Sequence, residues 1–184
     1  KKVQIALQIQ HIKKVAIFII PITITLFLQW GQNQSYRFIV ENKYSLESLA
    51  FIGVGLGVSS AIFSAVESFS SQFYNPIYLR RITNANKISR GKEWNKMASY
   101  MIPIYLSLTI FVISLSPYLL KLLVAEKFHG AYIYCMFGAI LEFIRVTTNL
   151  VYMVSQSELK THNTIIPYSL GFLFTISSIY FFNF

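Results

Sequence analysis

The stretch 131-AYIYCMFGAILEFIRVTTNLVY-152 decides how the chain is to be read. As a helix rising ~1.5 Å per residue it reaches across a hydrocarbon layer of ~30 Å. Its apolar residues lack the period-two alternation of a barrel strand, so a helix is expected. Within it only Glu142 and Arg145 are charged. Each costs about 2.5–3.5 kcal/mol at the centre of a spanning helix. They stand three positions apart and so share one face. Gly138, Asn149 and Gln156 extend that face, while the remainder of the segment is mostly Ile, Leu, Phe, Val, Tyr and Met. A polar stripe of this kind must look at protein or water rather than lipid.

Composition agrees with this reading. The 184 residues are 54% apolar, 16% aromatic and only 12% charged. An ordinary soluble domain carries about 25% charge and no more than about 50% apolar residues even with glycine counted. A soluble enzyme, a disordered chain and a disulfide scaffold are thereby excluded. Four further segments are mostly apolar over a comparable stretch, the one at 15–30 being short, so spans are expected near 15–30, 49–74, 97–115, 131–152 and 164–184. Prolines 21, 103 and 167 fall in or at the edge of three of them, where neighbours or water can satisfy a freed carbonyl. The fold class is all-α, a polytopic transmembrane bundle. The chain starts at Lys1 and ends at Phe184 inside an apolar run, and is expected to be an internal piece, 1–184, of one longer transmembrane domain.

Basic residues set the expected orientation. Segments 1–14, 79–97 and 155–163 hold eleven Lys and Arg, while 31–48 and 118–130 hold four. Positive residues stay on the cytoplasmic side, which places the 79–97 loop in the cytoplasm. Its cluster of Arg80, Arg81, Lys87, Arg90, Lys92 and Lys96 lies between two spans, so its expected partner is anionic membrane lipid rather than nucleic acid. Residues 1–14 put Ile5, Ile9 and Ile12 on one face and Gln4, Gln8 and His11 on another, the pattern of an amphipathic helix lying in the interface. A second interfacial stretch is expected at 119–128, after Pro117.

The second span repeats the polar stripe. Ser60, Ser64, Glu67 and Ser71 share a face, and Gly53, Gly57, Ala61 and Ala65 form an overlapping ridge of small residues that invites a close helix crossing. The glycines of GVGLG lack the strand and the Lys or third-Gly spacing of a nucleotide loop. No Asp occurs, Cys135 is alone, and His11, His129 and His162 are scattered, so neither a metal centre nor a disulfide is expected. With no acid/base or nucleophile constellation and no cofactor motif, the chain is not expected to be an enzyme. Two readings of the charged stripes remain open. Glu142 and Arg145 form an ion pair that fixes packing, or they line a water-filled cavity for substrate and coupling ion, as intramembrane ionisable residues often do.

Residues 24–40, ITLFLQWGQNQSYRFIV, and 49–81, LAFIGVGLGVSSAIFSAVESFSSQFYNPIYLRR, resemble the polysaccharide-export flippases. These are the O-antigen and capsule repeat-unit transporters of the multidrug/oligosaccharidyl-lipid/polysaccharide exporter superfamily. The resemblance rests on Arg37-Phe38-Ile39-Val40, on Asn75-Pro76-Ile77-Tyr78 leading into a basic loop, and on 119–131, LLKLLVAEKFHGA. Tyr36 stands where the family often has an acid, and Ala125 lies near its usual Gly. The resemblance implies a bundle of twelve to fourteen helices in two halves, about five of them supplied here, in the bacterial inner membrane. It implies lipid-linked oligosaccharide as cargo, moved by alternating access. Arg145 would then meet the cargo's diphosphate, with Glu142, Asn149 and Gln156 beside it, and Glu67 would couple to a proton or sodium ion. A cation-coupled multidrug exporter of the same superfamily is the alternative, and a non-transporting scaffold the third reading.

Overall fold

The computed structural model describes residues 2–43, 45–158, 162 and 165–181. Among them, side chains 2–14, 32, 33, 36, 38–40, 42, 43, 156, 174, 175 and 178–181 are outside the description. The described residues form five α-helices and no strand: α1 (Lys2–Lys43), α2 (Leu46–Ile82), α3 (Lys87–Leu123), α4 (Tyr132–Ser157) and α5 (Ile165–Phe181). A 3-10 turn, Glu126–Ala131, leads into α4. Three stretches, Leu46–Ile82, Lys87–Leu123 and Glu126–Ser155, are long and apolar enough to cross a membrane, and Val15–Gly31 is a shorter apolar helix. The molecule is an all-α membrane protein.

The chain divides into two compact units. In the first, Lys1–Tyr44 with Tyr152–Phe184, α1 packs on α5. Gly31 allows the approach, since a Cβ there would stand 2.6 Å from the Phe172 ring. The expected interfacial helix at 1–14 is not a separate element. It continues into α1, because neither glycine, proline nor a capping residue interrupts the turn between Lys14 and Val15.

The second unit, Ser45–Val151, contains α2, α3 and most of α4. Ser45 caps α2, its hydroxyl accepting from the Ser48 N–H at 3.1 Å. A short turn follows Ile82, with Asn84 in the left-handed region (φ 64°) that asparagine tolerates. The Asn86 side chain then caps α3 through the Ser89 N–H at 2.8 Å. Across this hairpin Tyr74 stacks on Tyr100, with ring centroids 6.2 Å apart, and Arg81 pairs with Glu93 at 3.0 Å. Both contacts fit one antiparallel register.

Helix α3 turns a single column inward: Met97, Met101, Tyr105, Thr109, Val112 and Ser116. It continues to Leu123, so the stretch expected to lie along the interface from 119 begins as the last turn of a helix. Pro117 removes the N–H that would bond the Ile113 carbonyl, and the Ser116 hydroxyl donates to that carbonyl instead at 3.1 Å. Thr109 likewise satisfies itself on the Tyr105 carbonyl at 2.7 Å.

Helices α2 and α4 approach closely, but not on the ridge expected from the sequence. Gly53 and Gly57 face open space. At Gly55, a Cβ would lie 2.6 Å from Tyr134 Cβ and 2.7 Å from the Ala131 carbonyl oxygen. On α4, Gly138 is covered by the Ser59 hydroxyl in the same way. Gly55, Ser59 and Phe63 are buried, while Gly57, Ala61 and Ala65 are exposed. The helix is therefore rotated relative to the expected ridge, and the shortest side chains meet at its crossing with α4.

Candidate functional site: an intramembrane charge cluster

Beyond the Gly55–Gly138 crossing, α2 and α4 carry their charges to each other. Arg145 Nε donates to Glu142 Oε2 at 2.7 Å, one turn back on the same helix. Its Nη2 stands 2.9 Å from Glu67 Oε2 on α2. The contact is an ion pair without hydrogen-bond alignment, since Nη2 is buried and aims its protons at no acceptor among the described residues. Asn149 Nδ2 donates to the other oxygen of Glu67 at 2.9 Å. Glu67 is thus held through both oxygens from α4. The guanidinium serves two carboxylates, so the group retains an excess negative charge.

Helix α3 adds Tyr105, 1% exposed, which lies beside the Ser70 side chain and close to the charges of Glu67 and Arg145. A tyrosine within an apolar span has no sequence signal separating it from a packing residue. Register supplies the signal, because Tyr105 belongs to the buried column of α3. On the other side, Trp94 Nε1 donates to the Leu150 carbonyl at 2.9 Å, tying α3 to the helix that carries Arg145.

Four of the five expected site residues, Glu67, Glu142, Arg145 and Asn149, therefore come together. The side chain of Gln156 is outside the described residues. The serine stripe of α2 does not join them. Ser64 is exposed, and Ser71 bonds the Ser68 carbonyl of its own helix at 3.1 Å. The cluster is not sealed: the side chains of Arg145, Glu67 and Glu142 remain 28%, 23% and 14% accessible. Glu67 lies thirteen residues before Arg80, or ~20 Å along the helix. With Arg80 at the headgroups, this depth is near the middle of a ~30 Å hydrocarbon layer.

The chain matches no protein-family model, no curated protein and no solved structure. Any chemistry assigned to it must come from this geometry and from the sequence.

Proposed function

We propose that the protein is part of a membrane transporter that moves lipid-linked oligosaccharide across the bacterial inner membrane, with the 79–97 loop cytoplasmic. One observation carries the transport reading: a partly accessible cluster of Arg145, Glu67 and Glu142, shared between two helices long and apolar enough to cross a membrane. Placing such charges in apolar helices is costly, and they commonly mark a pathway. An ion pair kept only for packing gains little over apolar residues of similar size. The cargo class comes from the sequence resemblance. In this reading Arg145 meets the diphosphate only after a carboxylate lets go of it, so cargo and Glu67 or Glu142 compete for one guanidinium. Protonating a carboxylate would release it, which links transport to a proton gradient.

The same cluster favours a second reading, a cation-coupled exporter, because its excess charge is negative. The two separate in the native host. Deleting the gene should cause lipid-linked oligosaccharide to accumulate facing the cytoplasm, and the wild-type gene should clear it. If no such glycolipid accumulates and resistance to lipophilic cations falls instead, the exporter reading replaces the flippase. Glu67→Gln should insert normally and flatten the dependence of transport on an imposed pH gradient. An unchanged dependence assigns Glu67 to packing.

A further inference from the structure

A shallow, open groove lies along α2, formed by Phe69, Ser70, Phe73, Tyr74 and Ile77, with a volume of about 460 Å³. Phe69, Phe73 and Ile77 recur every fourth residue and are 68%, 70% and 48% exposed. Continuing that face by three residues reaches Arg80. Among the described residues Arg80 has no ion pair, whereas its neighbour Arg81 is held by Glu93. The partner helix supplies a second cation. Tyr74 stacks on Tyr100 and Arg81 pairs with Glu93, so the antiparallel register sets Lys96 level with Tyr78. Lys96 is also one turn from Tyr100 on the same face of α3. The apolar groove thus runs along α2 toward exposed Arg80, and beside it the Tyr74–Tyr100 stack leads up α3 to exposed Lys96.

The dimensions fit one half of a bilayer. From Arg80 to Phe69 is eleven residues, ~16 Å as helix, against ~15 Å for one leaflet of hydrocarbon. We propose that this groove binds an anionic phospholipid of the surrounding membrane. An acyl chain lies along Phe69, Phe73 and Ile77, and the phosphate is held between Arg80 and Lys96. Charge complementarity selects the headgroup, and the aromatic column selects a chain over a free phosphate. The proposal is independent of what the protein transports.

Native mass spectrometry of the full chain, released from vesicles of mixed phosphatidylglycerol and phosphatidylcholine, tests it. The expected result is one retained phosphatidylglycerol and no matching retention of phosphatidylcholine. Arg80→Gln with Lys96→Gln should weaken retention about thirtyfold, since each basic group near the surface contributes about 1 kcal/mol, a factor of about five. Lys87→Gln with Lys92→Gln removes the same charge from outside the groove and should leave retention unchanged. Phe73→Ala should lower retention with every positive charge in place. Equal loss in the two charge variants would reduce the effect to general attraction and overturn the site. So would equal retention of both lipids. Displacement of the phospholipid by an equimolar polyprenyl diphosphate would assign the groove to that lipid and overturn the phospholipid proposal.

Discussion

At the scale of single residues, Arg145 is the centre of the molecule's electrostatics. A pair on one helix would be an element-internal matter, removable by apolar substitution at both positions. The guanidinium also meets Glu67 across the helix crossing, and this changes the forecast. Arg145→Met alone leaves two carboxylates facing each other in an apolar layer. It should destabilise the protein by about 3–5 kcal/mol, toward the lower end because the cluster is partly accessible. Glu142→Leu with Arg145→Met still strands Glu67, whose remaining described bond is from Asn149. Only the further change Glu67→Gln, which removes all three charges, should restore stability close to the parent. Thermal unfolding in detergent of the three variants gives the order. A double variant as stable as the triple one would show that Glu67 does not depend on Arg145. Arg145→Lys should be intermediate, since an ammonium keeps the charge but cannot present two edges to two carboxylates.

Helices interact through their smallest side chains, and α2 separates two sets of glycine by function. Gly55 meets Tyr134 and the backbone of residues 131 and 135, whereas Gly53 and Gly57 meet nothing within 4 Å. Gly55→Ala should therefore cost about 1–3 kcal/mol through overpacking at the crossing. Gly57→Ala should be neutral or slightly stabilising, because alanine is about 1 kcal/mol better than glycine within a helix. Comparison of unfolding midpoints for the two variants distinguishes this rotation of α2 from the one that puts 53, 57, 61 and 65 inward. The prolines obey a similar local logic. At Pro117 a neighbouring hydroxyl takes over the freed carbonyl, so α3 does not end where an apolar run and a proline together suggest.

For the molecule as a whole, the imbalance of basic residues predicts a topology. The ends of α3, a helix of 37 residues, cannot lie on the same side of a membrane that the helix crosses. Single cysteines at Asn86 and at Lys127, in a Cys135→Ala background, can be probed on intact cells with an impermeant thiol reagent. Lys127→Cys should label before permeabilisation and Asn86→Cys only after it. The opposite pattern would invert the orientation and move the 79–97 basic cluster to the outer face.

Much of this architecture was legible in the one-dimensional pattern. Runs of apolar residues long enough to cross hydrocarbon announce spanning helices, because a backbone in lipid must bond to itself. The stripe Glu142, Arg145 and Asn149 was visible as one face of one helix, since neighbours three and four apart share a face in any α-helix. Glu67 was visible as a charge without a partner. What tertiary structure decided was the rotation and register of the helices. A repeat of small residues exists on two adjacent faces of α2, and only packing against Tyr134 and Gly138 chose Gly55 and Ser59 over Gly53 and Gly57. That choice carries Glu67 to Arg145 and sets Tyr105 beside them. The physical reason is one of range: hydropathy and helical period are local quantities, whereas a contact between residues 67 and 145 depends on how two complete surfaces interlock.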